Sequence, residues 1–244
     1  MSQKRREKEL KRNKRKSKSS ILPTRKSAQI TIPIVEKLFD VYIHSPNVNN
    51  LVKLLNSFSA DKEFDLLYEK VIDSPEMYSK VSDLEKAIIF YSCERLVESV
   101  KILERYWQKE SSFTALNYLF LASIGRSDLK QSFDCLKEIE KHKEHFEEHM
   151  INAYRMMYGL VSGQNEYAEY VAHISLNYLD DIKIGNMIVQ VAVRLRNTHL
   201  LLKVLTSPNG KNLLLSIGKR QVQSIEKIIR ERLIVLLRNQ YLHG

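Results

Sequence analysis

The residues whose chemistry stands out first are the cations of the opening stretch, MSQKRREKELKRNKRKSKSS. Residues 1–28 have a formal net charge of +10, the same as the whole 244-residue chain. Ammonium and guanidinium groups at this density neutralise phosphates. The segment holds too little apolar surface to fold alone, so we expect it to be disordered when free and to become ordered on RNA. Its twelve cations are Lys4, Arg5, Arg6, Lys8, Lys11, Arg12, Lys14, Arg15, Lys16, Lys18, Arg25 and Lys26.

The basic tail, residues 1–28, has three interpretations. It neutralises the phosphates of a nucleic acid, or it serves as a nuclear or nucleolar address through the two basic clusters of KRREKELKRNKRK. The third interpretation, an acidic membrane surface, lacks an accompanying apolar or lipid anchor. Serines lie among the cations of this segment, and their phosphorylation would weaken a phosphate contact. The first interpretation is favoured and is compatible with the second.

A second basic segment lies near the C-terminus, in KRQVQSIEKIIRERLIVLLRNQY. Drawn as a helix, it places five cations within an arc of about 100° and most apolar side chains on the other side. The cations are Lys219, Arg220, Lys227, Arg230 and Arg238. The alternative is a solvated outer face of a capping helix. Because carboxylates that would balance such a face are nearly absent, we expect the stripe to lie along a phosphate backbone.

The stretch HFEEH has the spacing of a zinc site. His145, Glu148 and His149 match the HxxEH pattern of inverted zinc metallopeptidases, in which the two histidines bind zinc and the glutamate activates water. Those peptidases resemble mixed helix–sheet domains, whereas no segment here has the period of a strand. A third ligand would have to come from a distant carboxylate such as Glu226. We therefore expect a polar helical surface without a metal, and no cofactor.

No other pattern in the chain indicates catalysis. Neither Gly210-Lys211 nor Gly218-Lys219 belongs to a phosphate-binding loop, and no GxGxxG or GxSxG occurs. Cys93 and Cys135 lie on apolar helix faces, where we expect them to pack. No apolar run reaches the roughly 18 residues of a membrane span. The sequence predicts no enzyme, no small-molecule substrate and no membrane partner.

The elements that position these residues are all predicted to be helices. Only 7 Gly and 5 Pro occur, and helical periodicity runs from Ile34 to the end. The exception is the stretch Ile30–Pro33, which we expect to be extended, with Pro33 at the start of the first helix.

The helices recur in pairs. The second helices of successive pairs are predicted to begin near Glu94, Asp128, Asn165 and Thr198, at spacings of 34, 37 and 33 residues. The segment TALNYLFLASIGRSDLKQSFDCLKEIEKH has a turn at Gly125 and an N-cap at Asp128, and the next unit turns at Gly163. Over residues 83–206 the chain resembles tetratricopeptide and pentatricopeptide repeats. The resemblance implies an all-α fold, a right-handed α-solenoid-like stack of antiparallel helix pairs.

Charge divides the predicted helical repeat domain, residues 29–244. Residues 29–182 carry 16 basic and 25 acidic side chains, and residues 183–244 carry 11 basic and 2 acidic ones. Such an asymmetry indicates directed binding rather than an evenly solvated surface. Basic tails on compact helical bodies resemble those of ribosomal and ribosome-associated proteins.

The predicted function is a non-enzymatic RNA-binding component of a large ribonucleoprotein, either ribosome-associated or a ribosome assembly factor. Its partners would be ribosomal RNA and proteins of the same particle, in the cytoplasm, nucleus or nucleolus rather than in mitochondria. The alternative is a helical-repeat protein–protein scaffold with a nuclear targeting tail. A third hypothesis, a sequence-specific RNA reader of the pentatricopeptide type, is weaker because no base-reading positions can be placed on so degenerate a repeat.

Overall fold

The computed structural model describes residues 28–210, 212–213, 222–232 and 234, with side chains described from residue 34 onward. Within these ranges the regular structure is entirely helical, without a strand, which confirms the predicted all-α class. The chain divides into two compact units, one up to Leu66 and one from Leu67 on. All twelve cations of the predicted tail, and the helix positions Lys219, Arg220 and Arg238, lie outside the described residues.

The first unit is built on the helices α1 (Ala28–His44) and α2 (Val48–Ser57), which pack against each other. Asn47 caps α2, because its side-chain oxygen accepts a hydrogen bond of 2.9 Å from the backbone N–H of Asn50. The apolar side chains Leu51 and Leu54 of α2 are fully buried. The boundary between the units falls inside α3 (Asp61–Val71).

The extended lead-in predicted for Ile30–Pro33 is wrong. Helix α1 begins at Ala28, so Pro33 is its sixth residue rather than its first. A proline ring fixes φ at a helical value, and its missing N–H costs one hydrogen bond to the carbonyl four residues earlier. Near the start of a 17-residue helix, that single bond is a smaller loss than the whole first turn.

The second unit continues as a run of short helices. They are α4 (Pro75–Lys80), α5 (Asp83–Ser92), α6 (Leu96–Glu110), α7 (Phe113–Gly125), α8 (Leu129–Lys141), α9 (Glu148–Ser162), α10 (Asn165–Ile174), α11 (Ile182–Arg194) and α12 (Thr198–Leu205). Two 3₁₀ helices, Lys143–His145 and Ser175–Tyr178, precede α9 and follow α10. Residues 222–232 are helical again.

Helices α5 to α12 form four consecutive pairs. Their second members begin at Leu96, Leu129, Asn165 and Thr198, each within two residues of the predicted start. Each helix packs against the next, and the first helix of each pair also packs against the first helix of the following pair. This arrangement is compatible with a helical repeat.

The turns inside the four pairs share one backbone geometry. A residue with positive φ stands just before the N-cap of the second helix: Glu94, Ser127, Gly163 and Arg196, at φ between 52° and 77°. In three turns the N–H of the following residue donates to the carbonyl five residues earlier, as from Asp128 to Ser123 at 3.0 Å. These are the hydrogen bonds of a Schellman motif, which pairs carbonyls that the end of the first helix would otherwise leave without a partner.

The turn predicted at Gly125 is shifted in the structure. Gly125 is the last residue of α7, and Ser127 adopts the left-handed conformation. An added Cβ at Gly125 would lie 2.9 Å from a side-chain methyl of Leu96, so this glycine accommodates a close neighbour. The turn predicted at Gly163 is confirmed, since Gly163 has a φ of 77°.

Packing repeats together with the turns. The residue five positions after each positive-φ residue is fully buried, and so is the residue seven positions before it. The two sets are Ser99, Ser132, Ala168 and Leu201, and Ala87, Phe120, Met156 and Val189. In the first pair these sets touch directly, since the Ser99 hydroxyl donates to the Ala87 carbonyl at 2.8 Å. The four helix pairs therefore share turn geometry and buried positions, although the residue types at those positions differ.

Candidate nucleic-acid interface

The helical segment 222–232 has one buried and one exposed face. Ile225 and Ile228 are 3% and 8% exposed and join the core formed by residues of α9 to α12. Lys227 and Arg230 are exposed. The predicted division of this helix into an apolar and a basic face is therefore confirmed for these four residues.

Further exposed cations lie in the same part of the chain. They are Lys183, Arg194, Arg196, Lys203 and Arg232. Arg196 contacts Glu231, with 3.7 Å between the guanidinium and carboxylate. Residues 227 and 231 are one helical turn apart, so this ion pair brings Arg196 to the side of the helix that carries Lys227.

Most of these cations have no acidic partner. Among the residues that the structure describes, no carboxylate lies within 4.0 Å of Lys183, Arg194, Lys203, Lys227, Arg230 or Arg232. Between residues 183 and 234 the described chain holds seven cations against Glu226 and Glu231 alone. A protein surface of this kind attracts polyanions, and phosphate groups would supply the missing counter-charges.

A groove between α6 and α8 has different chemistry. Its volume is about 560 Å³, and its floor comes from buried apolar side chains of α6, α7 and α8: Val100, Leu116, Leu119 and Cys135. The groove is also lined by charged residues of both signs, the bases Lys101, Arg126 and Lys130 and the acids Glu104, Asp128, Asp134 and Glu138. A side-chain hydrogen bond between Glu104 and Gln131 joins the two helices. An apolar floor with a mixed rim fits an apolar side chain of another protein better than a phosphate.

The cysteines differ in exposure. Cys135 is 5% exposed, and burial raises the pKa of its thiol to about 12. Cys93 is half-buried just after the end of α5. The packing role predicted for Cys135 agrees with its position in the core.

HFEEH does not lie on a single helix. His145 ends a 3₁₀ helix, and its ring stacks on Phe113 with 3.9 Å between ring centres. His149 is in the first turn of α9, 2.9 Å from a Glu147 carboxylate oxygen and 3.4 Å from one of Asp181. Within the described part of the chain, no group of three or more metal-binding side chains is placed to hold an ion.

Phe133 is not among the residues predicted from the sequence to have a function, and the structure places it at the surface. Its side chain is 41% exposed, and its ring stacks on Tyr158 of α9 at 5.6 Å and an interplanar angle of 27°. The ammonium of Lys137 lies 4.2 Å from the centre of the same ring. A signal was present in the spacing of Lys130, Phe133 and Lys137, which alternates basic and aromatic residues along one helix face.

Comparisons with protein-family models, with curated proteins and with solved structures found no match to this chain. None of the described helices has the length and apolarity to cross a membrane.

Proposed function

We propose that this protein is a non-enzymatic RNA-binding component of a large ribonucleoprotein, either ribosome-associated or acting in ribosome assembly. The observation that carries the proposal is the set of exposed cations between Lys183 and Arg232, of which all but Arg196 lack a carboxylate partner among the described residues. Cations without a carboxylate partner remain hydrated in the free protein and are available to neutralise phosphates, and each such contact releases a counterion from the nucleic acid. The twelve cations of the basic tail add to the same polyanion affinity.

We further infer that the four helix pairs stack as a right-handed α-solenoid. Two observations support this inference: the turns repeat one backbone geometry, and the first helices of successive pairs pack in series. Helix pairs of this kind each bury their apolar faces on a neighbour, so their stability comes from stacking. The stack would present the basic C-terminal segment as its last layer.

The decisive variant reverses the charge of Lys227 and Arg230 to Glu. Both side chains are exposed, so we expect the free energy of unfolding to change by about 0.5 kcal/mol or less for each. Affinity for single-stranded RNA should fall at least tenfold at low salt, and the loss should shrink as salt screens the charges. Fluorescence anisotropy with a labelled RNA measures the affinity.

A matched control changes the net charge by the same amount in another part of the chain. Lys53→Glu and Lys62→Glu together reverse two exposed lysines in α2 and α3, in the acidic part of the chain. If the control pair weakens RNA binding as much as the C-terminal pair, only net charge matters and the proposed interface is wrong. Normal RNA binding by the C-terminal pair would also contradict it.

The particle itself is tested by sedimentation. In a cell extract of the source, an RNA-bound component should co-sediment with ribosomal subunits or their precursors and should leave them as salt is raised. A protein that stays at the top of the gradient at low salt would contradict the ribosomal assignment.

The groove between α6 and α8 favours a second candidate function, a protein–protein scaffold whose basic tail is only a nuclear address. In that case Val100→Asp in the groove floor should abolish partner binding while leaving RNA affinity unchanged. A circular dichroism spectrum of this variant must first show that it remains folded, since Val100 is 3% exposed. Deletion of the tail would then affect location but not binding.

A further inference from the structure

Helix α8 presents a basic and aromatic stripe on its outer surface. At 100° per residue, Lys130, Phe133, Lys137 and Lys141 fall within an arc of about 80°. All four side chains are exposed. Lys141 lies 3.5 Å from Glu138, but no carboxylate within the described ranges pairs with Lys130 or Lys137. Lys130 is at the edge of the stripe, because it lines the groove toward α6 together with the acids Asp134 and Glu138.

The aromatic member of this stripe is held in place by the next helix. Phe133 stacks on Tyr158, which is itself half-buried on α9, so the exposed ring has a fixed orientation. Fixing an aromatic ring before binding removes part of the entropy cost of ordering it in a complex. The exposed, stacked ring of Phe133 thus lies between two lysines for which no described carboxylate is a partner.

We propose that the Phe133 ring, with Tyr158 behind it and Lys130 and Lys137 beside it, is a stacking platform for a base of single-stranded RNA. Every base has a π-face, so such a platform takes RNA without reading its sequence. The proposal rests on the RNA-binding function proposed above and names the kind of RNA: single-stranded, with bases turned toward the protein.

Lys137 has a defined part in this binding. In the free protein its ammonium lies 4.2 Å from the ring centre, as a cation–π contact. A stacking base takes the place of the ammonium at the ring. The flexible four-carbon stem then lets the ammonium move to a phosphate of the same strand, a better partner for a cation than the ring. The ammonium of Lys137 thus contacts the Phe133 ring in the free protein and a phosphate in the RNA complex.

The competing explanation is that Phe133 belongs to a protein interface. A protein partner would contact apolar surface of any shape rather than the face of an aromatic ring. The exposed leucine one helical turn away, Leu129, would then contribute as much to binding as Phe133. Leu129 is 40% exposed on the same helix, which matches the exposure of Phe133. This residue supplies the control that separates area from ring stacking.

The test compares three variants on three RNA probes by fluorescence anisotropy at low salt. The variants are Phe133→Ala, Phe133→Trp and Leu129→Ala; the probes are a twelve-residue oligoadenylate, an abasic chain of the same length, and a twelve-base-pair RNA duplex. Loss of one stacked base should weaken oligoadenylate binding of Phe133→Ala by about 5- to 150-fold and abasic-chain or duplex binding by less than twofold. Phe133→Trp should keep the affinity, and Leu129→Ala should match the wild type.

Two outcomes overturn the proposal. Either Phe133→Ala binds oligoadenylate like the wild type, or it loses the same factor on the abasic chain. The outcomes also distinguish the two proposals. If base stacking on Phe133 is wrong but RNA binding is right, reversing the charges of Lys227 and Arg230 should still weaken RNA binding. If the wild type binds none of the RNA probes, both proposals are wrong.

A second measurement keeps the test valid if the alanine variant fails to fold. The chain has one tryptophan, Trp107, so Phe133→Trp in a Trp107→Phe background places the only indole on the platform. Oligoadenylate should quench this fluorescence at saturation, and the abasic chain should not. Equal quenching by both, or none by oligoadenylate, would contradict base stacking.

Discussion

At the scale of single residues, the turns inside the helix pairs contain backbone strain that the residue types do not indicate. Three of the four positive-φ positions are occupied by Glu94, Ser127 and Arg196 rather than glycine. A residue with a Cβ in this conformation loses roughly 1–2 kcal/mol relative to its ordinary backbone. The turn at Gly163 is predictable from the sequence because glycine favours a positive φ. The turn predicted at Gly125 is misplaced because the positive-φ position, 127, is occupied by serine.

Exchanging residue types at two of these turns should have opposite effects. We expect Ser127→Gly to stabilise the protein by about 0.5 kcal/mol, because the relief of strain exceeds the extra entropy of an unfolded glycine. Gly163→Ala should destabilise it by about 1 kcal/mol, although an added Cβ there meets nothing within 4 Å. Urea unfolding measures both. A stabilising alanine at position 163 would contradict the backbone argument.

The buried thiol of Cys135 makes stability sensitive to alkaline pH. Burial raises its pKa from 9.0 to about 12, so the fold retains the neutral thiol while the unfolded chain ionises first. Its contribution is therefore fully present below pH 9 and is lost as pH rises toward 12. Burial likewise raises the pKa of Tyr154 from 10.0 to about 12, which adds a loss only above pH 10.

We therefore expect the free energy of unfolding to decline above pH 9 in the wild type. Cys135→Ala should show a smaller decline between pH 9 and 10, the range in which the tyrosine does not contribute. Urea titrations at pH 8, 9 and 10 give the comparison. Parallel pH dependence in the two proteins would mean that Cys135 ionises normally in the fold.

At the scale of helices, α9 and α10 approach each other closely at Gly159. An added Cβ at Gly159 would lie 2.9 Å from the Cβ of Ala168 and 3.2 Å from its backbone atoms. At Gly125 the corresponding neighbour, also at 2.9 Å, is the end of the flexible Leu96 side chain. The two distances are equal, but the Leu96 side chain can move away from an added Cβ, whereas the backbone of Ala168 can move only with its helix.

The two glycines should accordingly respond differently to alanine. Gly159→Ala has to separate two helices and should destabilise the protein by about 1–3 kcal/mol. Gly125→Ala requires only a rotamer shift of Leu96, and a better helix former in α7 offsets it, so we expect a change of less than about 1 kcal/mol. Thermal unfolding of both variants tests this ordering. A larger loss at Gly125 would show that Leu96 cannot move.

At this scale the sequence predicted much of the fold. Asp128 and Thr198 mark helix starts, because capping residues and apolar periodicity are local signals. The start of α1 differs from the predicted one because proline favours the first position of a helix, whereas Pro33 is the sixth residue, where it costs one backbone hydrogen bond. The Phe133 platform was missed for a physical reason: its stacking partner Tyr158 lies 25 residues further along the chain, and only packing of α8 on α9 brings the two rings together.

At the scale of the whole molecule, charge is arranged in three segments. A basic tail and a basic C-terminal region flank an acidic middle of 25 acids and 16 bases. The sequence alone predicted this division. It did not show which cations lack partners, since that depends on which carboxylates the fold brings near them. Arg196 illustrates the difference, because Glu231 reaches it from a helix 35 residues away in the chain.

The central claim, that the protein binds RNA through many phosphate contacts, is tested most directly by the salt dependence of affinity. For the full chain and a single-stranded RNA, contact with about eight phosphates predicts a log–log slope of roughly −6. Removal of residues 1–26 should flatten this slope, because the cations of the tail are lost while those from Lys183 to Arg232 remain. Absence of saturable binding at low salt, or a slope near zero in the intact protein, would contradict the account.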